Sequence, residues 1–149
     1  MNEAKLKILY LDVDGVLLGK ADPGDISIIL AKYAREFLEY AIRSFDCYWL
    51  TSHGKDGNIN AVIDWITRYA DEETLRLVSV IKPAVWKTLK TEAIDFKSDF
   101  YWVDDQLLWS EMRVLQENNA MERWIQIDTR KNPDDLKRAI VVLKEKTKK

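Results

Sequence analysis

The sequence has few of the residues that build cross-links or zinc centres. Its 149 residues include one cysteine, Cys47, and one histidine, His53. One cysteine cannot form a disulfide within the chain, and such a composition is typical of a reducing compartment. A zinc site of nitrogen and sulfur ligands is excluded because it needs several such side chains. We therefore expect a cytoplasmic protein that is stabilised by its hydrophobic core.

The sequence also lacks a strong excess of charge and any long hydrophobic run. It has 23 basic and 25 acidic residues, so no global field attracts nucleic acid or an anionic membrane. No apolar run approaches the ~20 residues of a membrane helix, and no signal peptide is expected. With 47% hydrophobic residues, five glycines and three prolines, the chain has the composition of a folded protein. We predict a single domain over residues 1–149, with a basic tail at about 144–149, and leave the oligomeric state open.

Short apolar runs alternate with longer amphipathic segments along the chain. This pattern predicts five strands, at residues 7–13, 47–51, 77–81, 100–103 and 124–127. Helices are predicted between and after them, over residues 26–45, 58–69, 86–94 and 107–118 and from about residue 133 onward. Alternating strands and helices predict an α/β fold with a doubly wound, Rossmann-like, five-stranded parallel sheet and helices on both faces.

Acidic residues follow two of the predicted strands, at the edge of the sheet where such folds carry their functional crevice. Asp12 and Asp14 end the first strand, and Asp104 and Asp105 end the fourth. Burying carboxylates together is costly unless they are paired or bind a cation. Oxygen ligands around an open position suit Mg²⁺, which also accepts a phosphate oxygen. The four aspartates therefore predict a magnesium site.

Hydroxyl groups follow the second strand, where either Thr51 or Ser52 could donate a hydrogen bond to a phosphoryl oxygen. A nearby lysine could balance the charge of that group. A carboxylate nucleophile, a cation, a hydroxyl donor and a lysine are the parts of an aspartyl-phosphate mechanism. The combined placement of these residues on successive strand ends indicates phosphoryl transfer.

Together, these motifs resemble those of a known family. The chain resembles the haloacid dehalogenase-like (HAD) hydrolase superfamily, whose first motif is a hydrophobic run followed by D-x-D-G and here is Leu-Tyr-Leu-Asp-Val-Asp-Gly-Val-Leu at residues 9–17. The second motif, a strand that ends in Thr or Ser, resembles residues 48–52. The fourth, a hydrophobic strand that ends in paired acids, resembles residues 100–105. The resemblance covers residues 7 to about 127.

The resemblance implies a role for each acidic residue. Asp12 would be the nucleophile that becomes phosphorylated. Asp14 would protonate the leaving oxygen and then deprotonate the water that hydrolyses the phospho-enzyme. Asp12, the backbone carbonyl of Asp14 and Asp104 would bind Mg²⁺, with Asp105 supporting the ion directly or through water.

The resemblance also implies a phosphate-binding hydroxyl, for which Thr51 is preferred to Ser52, and a lysine. Lys90 is our choice for the lysine because it lies one strand before the acidic pair, and Lys82 and Lys87 are alternatives.

A cap domain is not expected, because neither of the two places where family members insert one has room for it. Only 35 residues separate Gly15 from Thr51, and a helix with a short loop fills them. The open site resembles the capless members of the family, which often act on large substrates. We therefore expect a Mg²⁺-dependent phosphatase whose partner is a phosphorylated substrate, including macromolecules such as phosphoproteins or nucleic-acid ends.

Several other residues have a more ordinary interpretation. His53 is interpreted as a loop side chain, with a substrate contact or a proton shuttle as the alternative. Cys47 is expected to pack in the core. Trp86 and Trp109 lie near the predicted site and could meet a ring of the substrate.

Two other functions use similar residues. A receiver-type signalling domain combines acids, a hydroxyl and a lysine, but it carries its acidic pair after the first strand, whereas here the pair follows the fourth. A catalytically silent HAD-like phosphate-binding module is the other alternative, and the presence of both Asp12 and Asp14 argues against it. A dehalogenase is disfavoured because that branch lacks the second acid of the first motif.

Overall fold

The computed structural model describes residues 5–148. In this part of the chain the strands are β1 (Ile8–Leu11), β2 (Leu18–Gly19), β3 (Ile29–Leu30), β4 (Asp46–Trp49), β5 (Phe100–Asp104) and β6 (Trp124–Gln126). The helices are α1 (Ala34–Ser44), α2 (Ile59–Thr67), α3 (Glu72–Val78), α4 (Trp109–Glu117) and α5 (Asp135–Lys146). Two 3₁₀ turns, Lys90–Ala93 and Met121–Arg123, complete the secondary structure.

Four of the strands form a parallel sheet in the order β4-β1-β5-β6. All four residues of β1 are buried, because the strand lies between two neighbours and both of its faces are covered. Strands of this kind read as continuous apolar runs, which explains why β1 could be predicted from the sequence. The protein therefore has a Rossmann-like α/β fold, and β2 and β3 form a separate antiparallel pair.

Successive residues of β1 pack into two different cores, since side chains alternate between the faces of a strand. Leu9 and Leu11 belong to a core formed with α1, α2, α3 and α5. Tyr10 faces the other side, where it shares a core with Trp102 and with Leu115 of α4. Helices thus cover both faces of the sheet.

The predicted strand at residues 77–81 is wrong, and in the described part of the chain the parallel sheet has four strands rather than five. Residues 72–78 form α3, which begins where the Asp71 side chain accepts a 2.9 Å hydrogen bond from the Thr74 backbone N–H. The apolar run at 77–81 is the end of this helix and the turn after it. Lys82 alone pairs with the edge of the sheet, through an isolated bridge to Tyr48.

The predicted helix at residues 26–45 begins later, at Ala34. Ile29 and Leu30 instead pair with β2, and Ile26 is 95% exposed although its spacing fits the apolar stripe of the helix. Tyr33 has a φ of +64°, a left-handed conformation that separates the hairpin from α1. The apolar spacing therefore predicted a helix over residues that in the structure belong to a hairpin.

Two further segments have boundaries in the structure that differ from the predicted ones. The helix predicted at residues 86–94 is only the 3₁₀ turn Lys90–Ala93, because the Glu92 side chain accepts hydrogen bonds from the backbone N–H groups of residues 87–89. The predicted basic tail begins inside α5, where Lys144 and Lys146 lie in the last turn and face the negative end of the helix dipole. The final residue, Lys149, lies outside the described residues.

Within residues 5–148, none of the helices combines the length and the apolar character that crossing a membrane requires.

Because part of the predicted helix is a hairpin, two substitutions within it should change the free energy of unfolding by different amounts. Replacing Ile26 by Ser should change the free energy of unfolding by no more than about 0.5 kcal/mol, because the side chain contacts water. Replacing Phe37, which is fully buried in α1, by Ala should cost about 3–5 kcal/mol. Urea unfolding followed by circular dichroism measures both values. Equal losses would show that residue 26 packs in the core.

Candidate functional site

The carboxyl ends of β1 and β5 lie side by side at the point where their connections leave for opposite faces of the sheet. The chain after β1 leads to α1 on one face, and the chain after β5 leads to α4 on the other. Parallel sheets bind ligands at such a switch point. A cavity of about 260 Å³ lies there, and its lining includes Asp12, Asp14, Ser52, Trp86, Lys90, Asp104, Asp105, Glu111 and Arg130.

Gly15 allows the loop after β1 to approach the end of β5. Its φ is +75°, and a Cβ at this position would lie 2.6 Å from Cγ of Asp105. The loop after β6 fixes the same turn, because the backbone N–H of Thr129 donates to the Gly15 carbonyl at 2.8 Å and the Thr129 hydroxyl donates to that of Val16 at 2.9 Å. Any side chain at residue 15 would push the acidic loops apart.

Lys90 connects the acids of the two strand ends. Its Nζ donates to Oδ2 of Asp12 at 3.0 Å and to Oδ2 of Asp104 at 2.6 Å. Burial of the lysine would lower its pKa, but the two carboxylates outweigh this effect and raise it, so the ammonium group stays charged. Of the three candidate lysines, Lys90 is the one that reaches the acids: Lys82 pairs with Asp46 at the start of β4.

The first turn of α4 holds Lys90 in place. Glu111 is buried, and its carboxylate accepts the backbone N–H of Leu108 and that of Lys90, each at 3.0 Å. The same side chain therefore caps α4 and anchors the 3₁₀ turn that carries the lysine. This link fixes the position of Lys90 relative to the end of β5.

Asp104 is completely buried and accepts four hydrogen bonds. The donors are Lys90, the Trp102 indole at 3.1 Å, and the backbone N–H groups of Asp105 and Gln106 at 2.8 and 3.3 Å. Burial and the neighbouring Asp12 raise the pKa of Asp104, and Lys90 opposes them. These four donors hold both oxygens of the carboxylate in a fixed orientation.

Asp12, Asp104 and Asp105 could hold a metal ion, because each offers a carboxylate oxygen within 4.8 Å of the others. The cavity is lined by five acids but only two cations, Lys90 and Arg130, so its lining carries an excess of negative charge. Asp105 forms an ion pair with Arg130 through one oxygen. From the residues that the structure describes, Asp12 accepts only two hydrogen bonds, which leaves lone pairs for a ligand.

Asp14 lies apart from this group and has different partners. Its Oδ2 is 2.7 Å from Nε2 of His53, and its Oδ1 accepts a 2.9 Å hydrogen bond from the indole N–H of Trp65. The His53 ring stacks on that of Trp65, with 4.9 Å between the ring centroids. His53, interpreted from the sequence as a loop side chain, thus contacts the predicted acid/base. The roles predicted for Asp14, including its metal-binding carbonyl, stay predictions.

The two candidate hydroxyls differ in exposure. Thr51 is buried, and its hydroxyl oxygen accepts the His53 backbone N–H at 3.3 Å. Its carbonyl accepts a 3.1 Å hydrogen bond from the indole of Trp86. Ser52 is exposed and lines the cavity. Ser52 is therefore the better placed of the two in this conformation, and a phosphate contact by Thr51 stays a prediction.

Three residues of the site were not predicted from the sequence, namely Trp65, Glu111 and Arg130. Glu111 had a local signal, an acid at the third position of a helix, and Arg130 lies three residues after the predicted strand at residues 124–127. Trp65 had no local signal in the sequence, because its contact with Asp14 joins residues 51 positions apart.

A second cavity, of about 820 Å³, adjoins the first, and both are lined by Asp105, Gln106 and Arg130. One part of its lining is apolar, formed by Leu107, Met112, Met121 and Trp124, and Lys20 and Lys131 add positive charge. We call it the side groove. It offers room next to the acids for a group larger than phosphate.

Cys47 and Trp109 do not belong to the lining of either cavity. Cys47 is buried, and its burial raises the pKa of the thiol to about 12, so the side chain stays protonated at neutral pH. Trp109 is exposed at the start of α4. Trp86, by contrast, lines the acidic cavity.

Comparison of the chain with protein-family models, with curated proteins and with solved structures finds no match. The candidate site is therefore interpreted from its own geometry.

Removing one acid should weaken metal binding without unfolding the protein. We expect Asp105→Asn to reduce the affinity for Mn²⁺, used as a spectroscopic substitute for Mg²⁺, by about tenfold or more. Electron paramagnetic resonance of free Mn²⁺ measures the affinity directly. Asp64→Asn, which changes an exposed acid of α2, is the matched control and should bind like the wild type. Equal affinities for both variants would contradict a site at Asp105.

Proposed function

We propose that this protein is a Mg²⁺-dependent phosphatase of the HAD-like type, which acts through an aspartyl-phosphate on Asp12. The observation that carries the proposal is the position of Lys90, whose ammonium group bridges Asp12 and Asp104 at the edge of an open acidic cavity. A cation there can hold the nucleophile ionised and can also attract a phosphoryl oxygen.

The donor set fits magnesium. Asp12, Asp104 and Asp105 offer only oxygen atoms, which hard cations prefer. The negative excess of the cavity would repel a phosphate dianion unless a further cation offset it. When bound to these residues, Mg²⁺ would supply that charge and stabilise the negative charge that develops on the phosphoryl oxygens.

In the proposed first step, an oxygen of Asp12 attacks the phosphorus atom and the bond to the leaving oxygen breaks. Asp14 gives its proton to that leaving oxygen. In the second step, Asp14 takes a proton from a water molecule that attacks the phosphorus, and the bond to Asp12 breaks. Inorganic phosphate leaves, and both aspartates return to their initial state. Lys90 stays charged throughout and balances the phosphoryl group.

Asp12 is a better nucleophile than Asp104 on the geometry of their contacts. Both side chains contact Lys90, but that of Asp104 is only 1% exposed and accepts four hydrogen bonds. Asp12 is 10% exposed at its side chain and lines the cavity. An attacking oxygen needs a free lone pair and a path to the phosphorus, and Asp12 has both.

The phosphorylated substrate is proposed to place its leaving group in the side groove. Between β1 and β4 the chain forms only the β2–β3 hairpin and α1, so the cavity stays open to large substrates. The groove has three cations, Lys20, Arg130 and Lys131, and two acids, Asp105 and Asp128. This positive excess suits a phosphoprotein or a nucleic-acid end that carries further negative charge. A cytoplasmic location stays a prediction from the single cysteine.

The alternative is a receiver-like or catalytically silent module that binds phosphate or holds a phosphoryl group without turnover. It would use the same acids and the same lysine. Sustained turnover separates it from a phosphatase, because a module of this kind releases at most one equivalent of product.

The purified protein should hydrolyse an aryl phosphate over many turnovers, and a chelator should abolish the activity until Mg²⁺ is restored. Asp12→Asn should lower kcat by about a thousandfold or more, since the amide is a poor nucleophile. Steady-state kinetics with a colorimetric substrate measure both effects, and Asp64→Asn should retain the wild-type rate. Activity that survives the chelator, or that persists in Asp12→Asn, would contradict the proposal.

The side groove predicts a separate effect on large substrates. Lys131→Ala should raise KM by about two- to fivefold for a terminally phosphorylated oligonucleotide or an acidic phosphopeptide. It should leave the aryl phosphate unaffected, and the effect should fade at high salt. Lys97→Ala is the control, because Lys97 precedes β5 at the opposite edge of the sheet. Equal KM values for all substrates would contradict a role for the groove.

A further inference from the structure

Asp14 receives a hydrogen bond on each oxygen from a stacked pair of aromatic rings. We infer that His53 and Trp65 are positioning residues, which hold the Asp14 carboxylate for its two proton transfers. The inference rests on the proposed function, in which Asp14 is the acid and base. His53 and Trp65 act through Asp14, and neither transfers the proton in this scheme.

The contacts come from two separate elements. His53 follows β4 in the loop, with Nε2 2.7 Å from Oδ2 of Asp14, and Trp65 lies on α2, with Nε1 2.9 Å from Oδ1. When Asp14 is ionised, Nε2 of His53 carries a hydrogen and donates it. One donor on each oxygen fixes the rotation of the carboxyl group, whereas one donor alone would leave it free to turn.

The two rings are themselves held in place. They lie nearly parallel, with 19° between their planes. The guanidinium carbon of Arg68 lies 4.9 Å from the centroid of Trp65. The rings of Tyr69 and Trp65 are inclined at 70°, with 5.8 Å between their centroids. These contacts fix the plane of the indole and, through the stack, that of the imidazole.

The loop that carries His53 is also fixed against α2. Gly54 has a φ of +73°, and a Cβ at this position would lie 3.1 Å from Val62 and 3.2 Å from the carbonyl carbon of Asn58. Asn58 caps α2, because its side chain accepts the backbone N–H groups of Asn60 and Ala61. The close approach of the loop to the helix therefore aligns His53 with Trp65 before any substrate binds.

Asp14 needs such support more than its neighbours do. Its side chain is 40% exposed, compared with 10% for Asp12. Exposed carboxylates change rotamer readily, and a displacement of about 1 Å at a reacting group can cost about a hundredfold in rate. Each oxygen of Asp14 retains a second lone pair, so the carboxylate can still exchange a proton with the leaving oxygen or with water.

This arrangement predicts a loss in kcat with little change in KM. His53→Phe keeps an aromatic ring against Trp65 but removes the nitrogen, and Trp65→Phe keeps a ring but removes the indole N–H. We expect each to lower kcat by about tenfold or more with KM within about twofold, and His53→Gln, which retains a donor, to recover part of the loss. Trp49→Phe is the matched control, since Trp49 lines neither cavity and within residues 5–148 its indole N–H has no partner.

Two comparisons distinguish positioning from a structural role. The loss should be larger for an alkyl phosphate than for a nitrophenyl phosphate, whose leaving group departs without a proton. In the Asp14→Asn background, His53→Phe should cause no further loss, because both changes act on the same proton transfers. Equal losses for both substrates, or losses that multiply in the double variant, would overturn the inference.

A measurement that needs no turnover tests the contact itself. His53 is the only histidine of the chain, so a nitrogen-15 histidine spectrum has one assignable ring. Asp14→Asn should shift the Nε2 resonance, whereas Asp64→Asn should not. An unchanged resonance in Asp14→Asn would contradict the inference. A wild-type protein without Mg²⁺-dependent turnover would instead overturn the proposed function, so the two failures are distinguishable.

Discussion

The ammonium group of Lys90 lies between the carboxylates of Asp12 and Asp104, and much of the structure around the site depends on this contact. Two carboxylates buried side by side would each lose hydration and would repel each other. The lysine compensates for both effects, and Glu111 holds the turn that carries it. Removing Lys90 would leave an uncompensated pair of buried charges, which is among the more costly changes a core can undergo.

A second constraint is the division of the acids into two groups with different partners. Asp12, Asp104 and Asp105 converge within the reach of one cation, whereas Asp14 is held by His53 and Trp65. Metal binding and proton transfer make opposite demands on a carboxylate, since a cation favours the ionised form and an acid must also carry a proton. Separate surroundings allow one cavity to serve both purposes. This division is consistent with the phosphatase that we propose.

Local pattern was enough to predict the sheet's central strands and the acids at their ends. β1 and β5 are buried on both faces, so their sequences are continuous apolar runs that end abruptly in aspartates. Local pattern failed where the same apolar spacing is compatible with two structures. Residues 77–81 were predicted as a strand but contain the end of a helix. Ile26 fits the apolar stripe of a helix but lies in a hairpin, where it is exposed. The contact of Trp65 with Asp14 depends on how α2 docks, which no spacing in the sequence encodes.

The most direct test of the central claim is to locate the phosphoryl group on the protein. Asp14→Asn, mixed with Mg²⁺ and an aryl phosphate whose leaving group needs no proton, should accumulate the phospho-enzyme because water is no longer activated. Rapid acid quenching followed by peptide mass spectrometry should find one phosphoryl group on the peptide that contains Asp12, and none when Mg²⁺ is omitted. Wild-type turnover without any adduct on Asp12, or an adduct on another residue, would contradict the mechanism.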